Sequence, residues 1–538
     1  MRRMRIKLIK MPNIIENRGL LMPDLGVGML VTILREEKFV VSQIDLKPLF
    51  SGNNEAAKMQ VRYNKVVHQT VRQKGPVDEE MYVFAEDLVK KYELKNFEVV
   101  GFSLDEETDL LFNLALIKIV KDLTGKIIIL GGGFRFTKRF MEQFDFIDFL
   151  IKGDATISLK LFLSCLEGCG RLREIPGLSY RRGRQVFANP HLRQAGNVDM
   201  VPDFTDLSMD DYRLGLSDCS VPLERDELHK INKPKLKLAV LPYHFIKGCP
   251  NSCKYCYWNR ENLFKVTSPE KVADNLQFMS EKYKISNFLF LNNAFNPTLK
   301  YAEKLIKAFS KRRLNIFWSD SANPGSMSTD MFSGLKETGC KQLYFGLESL
   351  SPRILKLLNR KGDPDTFSAI LKASHDNDIF NGVNFIIGIP FEKFRDIKST
   401  YDFIKQNKQY FEYYNVNLLK VIPEFGFSKD PAEAGMSLRK FGSVELRNPL
   451  NDSRIRKILN LVGISQRANF YSYDEIGGLS WEEKNRQDLK YSRYLSKIMD
   501  MPKHEFFEDL RFIFYLNHIF NSKKEILDWY NNLRKSGR

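Results

Sequence analysis

The chain has 538 residues, 43% hydrophobic and 12% aromatic, enough apolar material for two to four packed domains and too much for a disordered chain. Eighty-three Lys and Arg against 66 Asp and Glu give a net charge of +17, but the basic residues are spread along the chain without an arginine-rich block, so the charge reads as general solubility and a nucleic-acid partner is disfavoured. No apolar run approaches the roughly 18 residues of a membrane span, the opening MRRMRIKLIKMPNI lacks a signal peptide's apolar core, and seven cysteines, an odd number, argue against a disulfide framework, so a reducing cytoplasm without membrane attachment is the expected setting.

Residues 4–10 read as a first strand. GVGMLVTILREEKFVVSQIDL gives a helix whose face carries Met29, Leu30, Ile33 and Leu34, then a strand with Val40, Val41 and Ile44. FEVVGFSL (97–104) reads as a buried strand ending at Gly101 and Ser103, and a helix follows through LLFNLALIKIVKDL. KIIILGGG is a strand ending in Gly131, Gly132 and Gly133, with Phe134 next. IDFLIKGDA (147–155) is a further strand that turns at Gly153 into a helix. The alternation predicts an α/β domain over 1–166, a parallel, doubly wound Rossmann-like sheet with ligands at its strand carboxyl ends. Three consecutive glycines at one such end, with others at matching positions, suggest a backbone left open to a large flat ligand. There is no G-x-G-x-x-G, so no nucleotide fingerprint is read.

A linker with a small hairpin, IPGLSYRRGRQVF, is expected over 167–238. A second alternating series then runs over 239–425. It includes the helix TSPEKVADNLQFMSEKY, with Ser268 as N-cap, Pro269 in the first turn, and Val272, Leu276 and Met279 on one face. Roughly six βα units predict a partial (βα)6 barrel, with chemistry at the strand carboxyl ends. Residues 426–538 read as an aromatic-rich, mostly helical C-terminal domain, either a cap or a substrate lid.

The sharpest local signal is GCPNSCKYCYW, which places Cys249, Cys253 and Cys256 in a C-x3-C-x2-C spacing. Structural zinc usually takes four protein ligands as two C-x-x-C pairs, and no second pair is present. Cys165 and Cys169 share the C-x3-C spacing but lack a third partner and read as ordinary thiols. Three thiolates suit an iron–sulfur cluster with one iron left open to a substrate or cofactor. Gly248 and Pro250 keep the segment in a loop, so the sulfurs can converge on one cluster.

This motif, with aromatic Tyr255 just before the last cysteine, resembles that of the radical S-adenosylmethionine enzymes. The resemblance implies a [4Fe–4S] cluster on Cys249, Cys253 and Cys256, with S-adenosyl-L-methionine on the open iron and a 5′-deoxyadenosyl radical released on one-electron reduction. LYFGLESLSPRILKLLNRKG resembles the family's Gly-x-Glu-Ser strand, which places Gly346, Glu348 and Ser349 at the S-adenosylmethionine site. FIIGIPFE resembles the later Gly-x-Pro strand end, which places Gly388 and Pro390 on the adenine side. Tyr255, Asn292, Asn293, Ser319 and Asp320 join this candidate set; the two asparagines depart from the commoner acidic or glycine-rich pattern.

VVGFSL, IILGGGFRFT, IDFLIKGDA and IPGLSYRRG, in this order, resemble the cobalamin-binding domain that precedes the radical barrel in one subgroup. By that likeness Gly101, Ser103, Gly131, Gly132, Gly133, Phe134 and Gly153 would contact cobalamin. The chain lacks the Asp-x-His-x-x-Gly cobalt ligand, as is common in that subgroup, and KGDA departs from the usual Gly-Glu ending. The function implied is a cobalamin-dependent radical methyltransferase acting on an unactivated carbon of a small-molecule or peptide substrate, served by an electron donor such as flavodoxin or ferredoxin. The alternatives are a non-methylating radical rearrangement, epimerisation or cyclisation, and a non-catalytic iron–sulfur and corrin protein. No catalytic side chain is assigned.

Overall fold

The computed structural model describes residues 3–12, 21–50, 56, 58–60, 79–104, 110–132, 138–191, 198–215, 236–256, 264–422, 426–439, 471–498, 507 and 510–535. Met1–Tyr212 belongs to one compact unit, and Arg213–Val444 with Asn469–Arg538 to a second. No helix among the described residues is long and apolar enough to cross a membrane.

In the first unit, strands and helices alternate as β1 (Arg5–Lys10), α1 (Leu25–Glu36), β2 (Val40–Asp45), α2 (Glu79–Lys91), β3 (Val99–Leu104), α3 (Leu110–Thr124), β4 (Ile127–Gly132), α4 (Lys138–Gln143), β5 (Phe149–Ile151) and α5 (Ala155–Leu166). The sheet order is β2-β1-β3-β4-β5, all parallel. Side chains alternate across it, as the pleat requires. Ile9, Val100, Phe102 and Leu130 bury into one helical layer, while Ile6, Leu8, Val99 and Ile129 bury into the other. This is the doubly wound α/β sheet expected from the sequence. Asp24 caps α1 by accepting from the Val27 amide at 2.8 Å, and Asp154 caps α5 by accepting from Thr156 at 3.0 Å.

Two features differ from expectation. The segment read as a linker hairpin is part of the sheet: β6 (Leu178–Arg182) and β7 (Gln185–Ala188) continue it antiparallel beyond β5. The three-residue β5 would otherwise expose an edge of unpaired backbone groups, which the hairpin satisfies. Gly101 is not a strand-end residue. β3 runs on to Leu104, and Gly101 is buried in mid-strand, where a Cβ would lie 2.8 Å from Leu8 Cδ2. Its missing side chain makes room for Leu8.

The second unit carries β8 (Leu241–Tyr243), a ribbon of β9 (Ile246–Lys247) and β10 (Lys265–Val266), α6 (Pro269–Tyr283), β11 (Asn287–Phe290), α7 (Leu299–Arg312), β12 (Phe317–Ala322), α8 (Met331–Glu337), β13 (Cys340–Glu348), α9 (Pro352–Leu357), α10 (Pro364–Asp376), β14 (Phe380–Ile387), α11 (Phe394–Asn407) and β15 (Tyr413–Leu418). β8-β11-β12-β13-β14-β15 are neighbours in that order and parallel throughout, the expected six-stranded partial barrel. The Ser268 cap of α6 forms as read, with Val272, Leu276 and Met279 buried. Buried Trp318 stacks on Phe290 at 5.2 Å and meets Phe309 of α7 edge-on, tying strands to the helical layer.

The C-terminal part is helical, as expected, with an added ribbon: β16 (Met436–Arg439) paired with β17 (Ser472–Glu475), then α12 (Trp481–Ser496), α13 (Leu510–Ile519) and α14 (Lys523–Lys535). These elements serve opposite ends of the barrel. His518 of α13 bonds Asn287, the first residue of β11, at 3.1 Å and packs on Phe317, the first residue of β12, at 4.5 Å. Lys523 reaches Glu412 at 3.0 Å, just before β15. So α13 and α14 cap the amino ends of the strands, whereas β17 and α12 pack against the turn at the carboxyl end of β14.

Candidate cofactor site at the carboxyl ends of the second sheet

The cysteine loop follows β9. Gly248 opens it, with its carbonyl held by Asn293 Nδ2 at 2.9 Å. The Lys254 amide donates to Leu358 O at 3.0 Å, and Asn359 Nδ2 donates to Ser252 Oγ at 2.7 Å. Two chain segments about a hundred residues apart are thus laced together by backbone and amide bonds. Cys253 is buried, while Cys249 and Cys256 are partly exposed. Among the described residues no three His, Cys, Asp or Glu side chains gather round a single ion position.

β13 delivers the facing carboxylate. Its register shifts between Gly346 and Glu348, and Glu348 adopts φ 65°. Such a bulge re-aims a side chain. The Glu348 carboxylate folds back over Gly346, where a Cβ would lie 2.5 Å from Glu348 Oε1. Tyr255 donates its phenol proton to that carboxylate at 2.9 Å. Burial pushes the Glu348 carboxyl up, against the opposing pull of Arg360 and Tyr255. Burial also raises the Cys253 thiol, again against Arg360.

Sequence reasoning misses Arg360, which lies within LLNRKG. It follows α9, donates Nη2 to Gly346 O at 2.5 Å, and has Cys253, Glu348 and Tyr255 as electrostatic neighbours. A partly buried guanidinium between a thiol and a carboxylate is the local cation that could receive a cofactor carboxylate. Its sequence signal was its place one short helix beyond Glu348.

The other expected residues divide. Asn292 is spent structurally: Oδ1 accepts from the amides of Phe245 and Ile246 at 3.0 and 2.9 Å, and Nδ2 donates to Asp320 at 2.7 Å. Asp320 is buried, its other oxygen accepting from Ser321 N at 2.7 Å, and burial holds its carboxyl well above the carboxylate range. Neighbours on a strand face opposite ways, so Ser319 and Asp320 cannot both point inward. Ser319 pairs in register with Gln342, and Ser319 Oγ and Gln342 Nε2 are both buried without a hydrogen-bond partner. Ser349 Oγ accepts from the Ser351 amide at 3.2 Å at the start of α9. Gly388 and buried Pro390 form the turn after β14; Gly388 has φ 80° and donates its amide to Glu392 Oε2 at 2.9 Å.

In the first unit the sheet order reverses between β1 and β3, the crevice where open α/β sheets bind ligands. Ser103 lies there, in register with Lys10, and its carbonyl accepts from Met11 N at 3.0 Å. At the end of neighbouring β4, Gly131 has nothing within 4 Å of where a Cβ would stand, and exposed Gly132 follows. Gly153 packs under His191, whose Nε2 would lie 2.0 Å from a Cβ there. Gly133 and Phe134 lie outside the described residues. A bare glycine backbone beside the switch point fits a broad flat ligand such as a corrin.

Residues 243–404 match the family model of the radical SAM superfamily. An uncharacterized methyltransferase of Pyrococcus horikoshii is 26% identical over 297 residues, 54% of this chain and 60% of that protein. The chain spans about half the length of the curated relatives it matches. Among solved structures, the radical S-adenosylmethionine methyltransferase TsrM from Kitasatospora setae, with cobalamin and a [4Fe-4S] cluster bound, has a TM-score of 0.57 at 13% identity, covering 93% of this chain and 90% of that one. The cobalamin-dependent S-adenosylmethionine radical enzyme OxsB, with aqua-cobalamin and S-adenosylmethionine bound, has a TM-score of 0.55 at 15% identity, covering 75% of this chain and 52% of that one. Residues 243–404 thus carry a domain of the radical SAM superfamily, and the chain shares its fold with the solved TsrM and OxsB structures.

Proposed function

We propose that the protein is a cobalamin-dependent radical S-adenosylmethionine methyltransferase that methylates an unactivated carbon of a biosynthetic small molecule or peptide. The observation that carries the reading is the three-thiol loop laced to the carboxyl end of β13, so that buried Cys253 and Glu348 and partly buried Tyr255 and Arg360 form one cluster. Together the bound cofactors supply a hydrogen-abstracting adenosyl radical and a transferable methyl group. In this reading Cys249, Cys253 and Cys256 hold the [4Fe–4S] cluster. Arg360 faces the cofactor carboxylate, and Glu348 with Tyr255 accepts from its ammonium or hydroxyl groups. The Gly388–Pro390 turn lies along its adenosyl end. Buried, uncharged Ser319 and Gln342 offer hydrogen-bonding capacity within the sheet. In the first unit Ser103, Gly131, Gly132, Gly133, Phe134 and Gly153 are assigned to cobalamin, of which Ser103 and Gly131 have the most suitable setting. Electrons would come from a small one-electron donor such as flavodoxin or ferredoxin.

The test is anaerobic reconstitution followed by metal and product analysis. About four irons and one cobalt per chain, with S-adenosylhomocysteine formed alongside 5′-deoxyadenosine, are expected. Iron and 5′-deoxyadenosine without S-adenosylhomocysteine would point to a non-methylating radical reaction. Absence of 5′-deoxyadenosine under reducing conditions would overturn the enzymatic reading.

A further inference from the structure

Behind the turn at the carboxyl end of β14 lies a cage of charge that the reading above leaves unused. Lys484, in the first turns of α12, has no exposed side-chain surface. Its ammonium is 3.6 Å from Glu475 Oε1 and 3.6 Å from Asp488 Oδ1, longer than ordinary hydrogen bonds, and both carboxylates are buried. Glu392, also buried, is a third carboxylate within its field. A buried ammonium facing three carboxylates is costly to assemble, so its placement calls for a reason.

The cage is built around the turn. The Gly388 amide donates to Glu392 Oε2 at 2.9 Å, and its carbonyl accepts from the Tyr473 phenol. The Phe391 amide donates to Glu475 Oε1 at 2.6 Å, with Phe391 at φ 56°. Asp488 Oδ2 closes the remaining side, 2.8 Å from where a Gly388 Cβ would stand. Every carboxylate around the ammonium therefore also touches the turn, and three of the contacts come from β17 and α12. The strain of left-handed Phe391 is held by these bonds, while Gly388 takes its positive φ without steric cost.

We propose that Lys484 is a positioning residue: it holds Glu475, Asp488 and Glu392 in the arrangement that shapes the Gly388–Glu392 turn, making the C-terminal β17–α12 segment an integral wall of the S-adenosylmethionine site. This rests on the assignment of the Gly388–Pro390 turn to the adenosyl end of the cofactor. The groups facing the cage and its turn are Glu392, Asp396 and Arg353 from the barrel, the last donating to Phe391 O at 2.8 Å, Tyr473 and Glu475 from β17, and Lys484, Asp488 and Tyr491 from α12. Burial raises the Glu392 carboxyl to about 8 and the Asp488 carboxyl to about 6, and in both cases Lys484 pulls the other way. Removing the ammonium must therefore move both ionisations to higher pH.

The test uses the full chain with its reconstituted cluster and S-adenosylhomocysteine as probe, by isothermal titration calorimetry from about pH 5.5 to 9. Lys484→Met is expected to weaken binding about tenfold with iron content unchanged. It is also expected to shift the pH midpoint of the affinity change upward, and Lys484→Arg should restore both in part. If Lys484→Met fails to fold, Asp488→Asn carries the test with the same expected loss of affinity. A folded variant with wild-type affinity and the wild-type pH midpoint overturns the proposal. Failure of the wild-type protein, with its full iron load, to bind S-adenosylhomocysteine would instead overturn the cofactor assignment on which it rests.

Discussion

The phenol of Tyr255 donates a 2.9 Å hydrogen bond to the carboxylate of Glu348, 93 positions further along the chain. One residue belongs to the cysteine loop and the other to the bulged end of β13. Their bond, with Arg360 beside both, converts two separate motifs into a single site. Burial makes that bond directional, because a carboxylate removed from water needs a partner.

Replacing Cys253 with alanine is expected to abolish stable cluster binding while leaving the fold intact. Cys253 lies in a loop held mainly by the bonds of Lys254 and Ser252, which the substitution does not touch. Iron content per chain after anaerobic reconstitution checks the first part, and circular dichroism the second. A full iron load in this variant would remove the basis of the proposed function.

Glu348→Gln keeps the shape of the side chain and removes its charge. Hydrogen bonds to charged groups contribute roughly 1.5–3 kcal/mol, so the affinity for S-adenosylmethionine should fall about 10- to 100-fold with iron retained. Tyr255→Phe removes only the partner of that carboxylate and should cost less. Calorimetry on the two variants, with iron measured in parallel, separates cofactor binding from cluster loss.

Two glycines of the first unit should answer differently to a side chain. Gly131→Leu projects into open space and is expected to leave the thermal midpoint unchanged while reducing the cobalt retained after reconstitution. Gly101→Ala forces a methyl group against Leu8 and is expected to cost about 1–3 kcal/mol of stability. Unfolding curves and cobalt analysis on both variants provide the check. Unchanged cobalt in a folded Gly131→Leu protein would remove Gly131 from the corrin surface.

Asp45, at the carboxyl end of β2, supplies a pH test. Burial raises its carboxyl from the ordinary 3.8 to about 6, although the Lys47 amide donates to it at 2.9 Å and Tyr212 at 2.9 Å. The fold therefore favours the neutral acid. Its contribution is most favourable below about pH 4 and is lost as pH rises through 6, an upper figure of about 3 kcal/mol. Asp45→Asn should raise the thermal midpoint of the first unit at pH 8 and give no gain at pH 4. A variant less stable at pH 8 than at pH 4, relative to wild type, would show that the charged form is the favoured one.

Periodicity and local chemistry carry far in this chain. Ser268 and Pro269 begin α6 where their types require, because an N-cap is decided within four residues. The alternation of apolar runs with helical stretches specifies two α/β units, because burial on both faces leaves a parallel strand few other patterns. The C-x3-C-x2-C spacing points to an iron–sulfur cluster without any structure, since three thiolates suit a cluster with one open iron. What such local signals miss is every feature set by partners distant in sequence. Gly101 reads as a ligand-facing glycine until Leu8 is seen beside it, and Asn292 as a binding residue until its amide is found bonded at both ends.

The sequence alone determined the fold class, the two sheets and the three closely spaced cysteines to which the cluster is assigned, because each follows from interactions within a few residues or from side-chain chemistry. Only the tertiary structure decided that Arg360 joins Cys253 to Glu348, that the hairpin after α5 extends the first sheet, and that β17 and α12 brace the Gly388 turn while α13 and α14 cap the opposite end. The reason is physical: buried charges and unpaired backbone groups are satisfied by whatever the packed chain brings within hydrogen-bonding distance, and no periodicity in the sequence encodes those meetings.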